Sequence, residues 1–185
     1  MNKNVICYLS NNKNTLEMER RYNLLPKETD NFIIHQIEND LNYSDGINVF
    51  KFDSNIDFVK KPFYNCTYLS LLLFYINFPD YDYYWLLEDD LIFNGNFSLF
   101  FKEVDKLDED FIIGHGKFRK DEPHAEWYTI ENNRIHGGYD VDFPLAGGFV
   151  GIQRWSNKFI KKIYDETFAK KVYGHTESFP ATVAL

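Results

Sequence analysis

With 185 residues, 44% of them apolar and 18% aromatic, the chain has the length of one domain with a single core, and too much material to bury for disorder. Twenty basic against 28 acidic side chains leave a formal charge of -8. That balance excludes nucleic acid as a main partner, because no positive field draws phosphates in, yet it leaves room for a single nucleotide bridged by a metal ion.

The start, Met1 to Ser10, holds too short an apolar run for a secretory signal. Asn4 to Leu9 reads as a first strand that ends in the polar Ser10-Asn11-Asn12. Thr15 to Leu25 is charged with scattered apolar positions and predicts an exposed helix. Phe32 to Ile37 and Ile47 to Phe52 predict the second and third strands. Pro62 to Asn77 is apolar on every face, as in a helix packed inside a larger fold. Its greasiest part, Tyr68 to Phe78, is interrupted by Ser70 and Asn77 and is shorter than the roughly 20 residues of a membrane helix. Cys7 and Cys66 stand in no metal-ligand spacing, and their apolar neighbours mark them as buried, reduced thiols, which fits a cytoplasmic protein.

The densest signal is Tyr83-Tyr-Trp-Leu-Leu-Glu-Asp-Asp-Leu-Ile-Phe-Asn-Gly95. An apolar run drives into Glu88, Asp89 and Asp90, and a second short run closes on an Asn-Gly turn. Three carboxylates at the end of a buried strand repel one another and lose hydration, a cost most readily met by a hard divalent cation carrying a phosphate. A solvated acidic turn is the plain alternative. Strand alternation puts Glu88 and Asp90 on one face and Asp89 on the other.

Beyond it, Asn96 predicts the cap of a helix with Phe97, Phe100, Phe101, Val104 and Leu107 at helical spacing. Asp110 to Gly114 predicts a short strand, and His115 to Asp140 an irregular region. Ala146 to Gln153 predicts a strand entered through Gly147 and Gly148. Ser156 is the expected cap of a helix carrying Phe159, Ile160, Ile163, Tyr164 and Phe168, ended by Gly174. Strands alternating with helices predict an α/β domain over 1–185 with a mostly parallel central sheet, and in such sheets ligands bind at the carboxyl ends of the strands.

Residues 84 to 97 resemble the acidic signature of GT-A-fold nucleotide-sugar glycosyltransferases, in which a strand ends in Asp-x-Asp or a variant such as Glu-Asp-Asp. Residues 7 to 12 are similar to the first strand of that Rossmann-like fold, 146 to 156 to its later Gly-Gly strand on the acceptor side, and 174 to 179 to the following segment that brings an acidic residue near the sugar. The four landmarks stand in family order. The strict Asp-x-Asp is absent, since position 88 is Glu, and the chain stops at Leu185 without the later segment that usually completes the acceptor side, so a compact enzyme, a truncated chain and a remnant all stay open.

The resemblance implies a transferase that moves a sugar from a nucleotide-sugar donor, a UDP-sugar by default, to a glycan or lipid-linked acceptor in polysaccharide biosynthesis. It implies a divalent cation, Mn²⁺ or Mg²⁺; the hydropathy pattern predicts no transmembrane segment and leaves association with a membrane surface open. Chemistry then assigns the roles. Asp90 with Glu88 is the expected metal pair, Asp89 is a catalytic candidate that assists at the donor, and Ser10 and Asn11 either face the nucleotide or form a simple turn. Glu177 is the candidate general base, a turn carboxylate being its alternative. Gly147 and Gly148 admit a sugar to the backbone, or mark a bulge. Trp127, with Tyr128 beside it, offers a stacking face or packs in the core, and Asp142 gives a hydroxyl contact or is a solvated loop acid. Arg154 is either a phosphate partner or a surface residue, and His115, His124 and His136 fall in no compact metal motif. Two other classes compete: a catalytically inactive nucleotide- or sugar-binding domain, and a metal-dependent phosphohydrolase on the same acids.

Overall fold

The computed structural model describes residues 2–10, 14–36, 41–53, 55–59, 66–124, 134–141 and 143–185. Six strands form one sheet: β1 (Asn4–Ser10), β2 (Asp30–Gln36), β3 (Val49–Phe52), β4 (Tyr83–Glu88), β5 (Phe111–Phe118) and β6 (Ala146–Ser156), in the order β3-β2-β1-β4-β6-β5. The first four are mutually parallel, whereas β6 is antiparallel to both β4 and β5. The expected α/β class is what the chain adopts, with a mixed edge on a mostly parallel sheet.

Alternation decides which helix packs where. In β1, Val5, Cys7 and Leu9 face one layer, built from α2 (Tyr68–Asn77) and α4 (Asn157–Tyr164). Ile6 and Tyr8 face the other, built from α1 (Thr15–Tyr22) and α3 (Phe97–Val104). Right-handed crossovers running in opposite directions from β1 put α1 and α2 on opposite faces. All six apolar-to-small residues from Tyr68 to Leu72 and Phe74 in α2 are buried, so this helix is greasy because it lies inside, and no described helix is long and apolar enough to cross a membrane. Cys7 and Cys66 are both buried thiols, and burial pushes the Cys7 thiol up.

Several boundaries differ from expectation. The side chains of Asn96 and Ser156 accept the N–H groups of Leu99 and Phe159, so both caps form as predicted. Helix α1 stops at Tyr22 and buries Met18 and Tyr22, being amphipathic rather than wholly exposed. Helix α3 stops at Val104, three residues short of Leu107. Strand β5 runs on through His115 to Phe118, into what read as irregular chain, because pairing with β6 supplies its hydrogen bonds. Helix α4 ends at Tyr164 and continues as one wide turn over Asp165–Ala169, well before Gly174, and a last short helix, α5, spans Phe179–Val183.

Candidate functional site

The strand order reverses at β1 and β4: the chain moves outward to β2 and β3, then returns to the other side of β1. In open α/β sheets the crevice outside the carboxyl ends of two such strands is where ligands bind. The register pairs Leu9 with Glu88, so Ser10 and the three acids stand together at that point. Ser10 is buried and accepts from the Tyr43 hydroxyl at 3.4 Å.

Glu88 is the last residue of β4 and only partly exposed, whereas Asp89 and Asp90 form the turn that follows, with Asp90 exposed. The Thr67 hydroxyl donates to Glu88 Oε1 at 3.3 Å and lies 3.0 Å from the Thr176 hydroxyl, which also accepts the Tyr68 N–H at 3.2 Å. Thr176 therefore caps α2 from outside, and the Thr67 hydroxyl, within reach of both Thr176 and Glu88, links that cap to the carboxylate. Burial first, then the charge of Asp90, and then Glu177 and Asp89 push the Glu88 carboxyl up to about 7, against the Thr67 hydrogen bond. Glu177 comes from the loop before α5, 89 positions further along the chain, and its influence on Glu88 brings the two predicted acidic landmarks into one site.

The Glu177 backbone is held from two sides. Its carbonyl accepts the Gly148 N–H at 2.9 Å, and its N–H donates to His175 Nδ1 at 3.3 Å. His175 Nδ1 lies 3.8 Å from the Glu177 carboxylate. Across the crevice, the Arg21 guanidinium pins the acidic turn by donating to the carbonyls of Asp89 and Leu91, the latter at 3.5 Å, while Glu17 holds it from behind at 2.8 Å. The backbone carbonyls of the turn are thus fixed by a cation.

The predicted residues fall out unevenly. Ser10, Glu88, Asp89, Asp90, Gly148 and Glu177 are gathered at one end of the sheet. Asn11, Trp127, Tyr128 and Asp142 lie outside the described residues. Gly147 and Gly148 are buried, and a Cβ on Gly148 would stand 3.1 Å from both the Gly114 carbonyl oxygen and Gly116 Cα. Gly148 thus serves the close approach of β6 to the irregular register of β5, which is the bulge alternative, and its side-chain face is not open to a sugar. Arg154 is corrected outright. It is fully buried on β6, donates to the carbonyls of Val104, Leu107 and Glu109, and lies over the Tyr83 ring at 4.2 Å. It ties the α3–β5 connection and meets no phosphate site. Among the described residues no group of three or more His, Cys, Asp or Glu side chains is placed to hold a metal ion, and this includes the acidic turn as well as the histidines.

Sequence reasoning missed Thr67, Thr176 and Arg21, whose roles depend wholly on distant partners. It also missed His35, which pairs in register with Ser10, is fully buried, and has no hydrogen-bond partner for either ring nitrogen among the described residues. Burial, then Lys51, holds the His35 imidazole below its ordinary value and so neutral.

No protein-family model matches the chain, and no curated protein matches it either. Among solved structures it is similar to a putative glucose-1-phosphate thymidylyltransferase from Bacillus anthracis, solved with a sucrose: 13% identity over 92% of this chain and 78% of that one, TM-score 0.47. It is also similar to a glycosyltransferase involved in glycosylation of the major capsid of PBCV-1: 10% identity over 90% of this chain and 66% of that one, TM-score 0.31. At these levels of identity and superposition the functional reading rests on the site itself.

Proposed function

We propose that the chain is a nucleotide-sugar-dependent glycosyltransferase whose donor lies in the crevice at the carboxyl ends of β1 and β4. The observation that supports it is the convergence of Glu88, Asp90 and Glu177 at the switch point, with Glu88 pushed up to about 7 by its neighbours and its burial. A crowded, partly desolvated acidic site at the switch point, where open α/β sheets tend to receive ligands, calls for a cationic or hydroxyl-rich occupant.

Glu88 and Asp90 fit a divalent cation as two carboxylates that a metal-bound diphosphate would complete, not as a full cage. When bound, such a cation neutralises the leaving diphosphate. Ser10, with Asn11, is assigned to the nucleotide, and Asp89 to the donor side. Glu177 is assigned as general base: the acceptor oxygen bonds to the sugar's anomeric carbon, the bond to the diphosphate breaks, and the acceptor proton passes to the Glu177 carboxylate. Its fixed backbone and the neighbouring His175 keep that carboxylate in place. Gly147 and Trp127 are assigned to the acceptor side.

Thermal unfolding with UDP, GDP or CDP, with and without Mn²⁺, tests the reading in the wild type and in Asp90→Asn. At a hundredfold excess over Kd, one nucleotide is expected to add about 2.7 kcal/mol, roughly 5–10 °C for a domain of this size. The rise should need Mn²⁺ and disappear in Asp90→Asn. No response to any nucleotide from the folded protein overturns the reading. Stabilisation without release of nucleoside diphosphate from any sugar donor would instead make it a binding domain.

A further inference from the structure

We infer that Phe149 is the stacking platform for a pyranose ring at this site; the inference rests on the proposed function for the identity of its ligand. Phe149 lies on β6 and is 50% exposed, an unusual state for an aromatic ring within a strand when Trp155 and Phe159, a few residues on, are buried. Its half-exposure has a specific cause. A Cβ on Gly151 would stand 2.6 Å from Phe149 Cε1 and 3.0 Å from Cζ, so the ring lies directly over Gly151, where any other residue would lift it off. A Cβ on Gly114, in the paired strand, would stand 3.9 Å from Phe149 Cδ1. Two glycines from neighbouring strands thus floor the ring and turn its other face to solvent. No ring of another described aromatic residue packs against it.

The platform is also in the right place. The same Gly151 position is 3.5 Å from Leu91 Cδ1, and Leu91 directly follows Asp90. On the other side, the residue before Phe149 is Gly148, whose N–H is held by the Glu177 carbonyl. The stretch of β6 that carries the ring, Gly148 to Gly151, therefore neighbours Leu91 of the acidic turn at one end and the Glu177 backbone at the other. A flat apolar face on a strand segment that meets both acid-bearing segments matches one class of ligand. A pyranose presents axial C–H groups on one face, which pack on an aromatic ring, and equatorial hydroxyls at its rim, which donate to carboxylates. A nucleobase is the poorer fit: it would belong at the β1 and β2 ends, on the far side of β4.

Saturation-transfer NMR tests this without turnover and without a nucleotide. The probes are methyl β-D-glucopyranoside and methyl β-D-galactopyranoside at millimolar concentration, with the protein's aromatic protons irradiated. The expected result is transfer concentrated on the axial ring protons of at least one glycoside, retained in Phe149→Tyr and reduced severalfold in Phe149→Ala. Gly151→Ala, which keeps the ring and removes its floor, should reduce it as well. No transfer to either glycoside in the wild type, or transfer unchanged in Phe149→Ala, overturns the inference. Failure of the nucleotide titration would leave this measurement unaffected, so the two readings fail separately.

Discussion

Glu88→Gln should stabilise the protein, and most strongly at neutral to alkaline pH. The raised carboxyl means that the folded chain holds a proton on Glu88 between pH 4.5, its unshifted value, and about 7, where the unfolded chain has released it. Stability from this group is therefore fully present below 4.5 and is lost as pH rises through about 7. A move from 4.5 to about 7 corresponds to about 3.4 kcal/mol. Glu88 is partly exposed, and solvent screening reduces the realised penalty to about 2 kcal/mol. Glutamine removes the charge and still accepts from the Thr67 hydroxyl. Urea unfolding followed by tryptophan fluorescence, in EDTA, should show the variant about 2 kcal/mol more stable than wild type at pH 8, a midpoint higher by about 0.8 M for an m value of about 2.5 kcal/mol/M. At pH 5 about a quarter of that gain should remain. The comparison between variant and wild type removes the titration of every other group. An advantage of equal size at both pH values, or a loss at pH 8, would refute the account of Glu88 as a crowded, partly desolvated carboxylate.

Three further outcomes follow from the packing. Arg154→Met strands three carbonyls that its guanidinium serves and should cost about 3 kcal/mol, while any nucleotide response survives; an unchanged melting temperature would contradict its structural role. Gly148→Ala forces a methyl against the Gly114 carbonyl and Gly116 Cα and should cost about 1–3 kcal/mol in denaturant unfolding, whereas a neutral result would mean that β5 yields freely. Thr176→Val removes the acceptor of the Tyr68 N–H and the partner of Thr67, and a loss of about 1–2 kcal/mol by calorimetry is expected; no loss would show that the bond to Tyr68 is replaced locally.

Much of the scaffold was legible because strands such as β1 and β4 are apolar runs with a clean polar stop. Tyr83 to Glu88 is the clearest example, and the caps at Asn96 and Ser156 carry their own local chemistry. Strand direction was not legible, since alternation fixes which face a residue takes and is blind to which way its neighbour runs; hence the antiparallel pairing of β6 went unseen. The length of β5 was hidden for the same reason, as His115 to Phe118 become strand only through β6. At the site, the acids announced themselves by clustering against apolar chain. Arg154 misled because a charged residue between Gln153 and Trp155 looks like a surface position, and nothing local reveals three carbonyls from a distant loop. Thr67 and Thr176 carry no signal singly: a hydroxyl beside an apolar helix is a common thing until its partner is known. Phe149 was lost among 18 phenylalanines, and only the two glycines beneath its ring set it apart.

The pairing of residues 66–68 with residues 174–176 has a consequence for the order of assembly. Cys66 donates to the Gly174 carbonyl and Thr67 reaches Thr176, contacts that span 108 and 109 positions. Loops of that length close late, and proteins dominated by such contacts fold slowly. On the ribosome, the sheet from β1 to β4 can form while the acidic turn still lacks Glu177 and α2 its outside cap. The acidic turn therefore gains Glu177, and α2 its outside cap, only once residues 174–177 have been made and this long loop has closed.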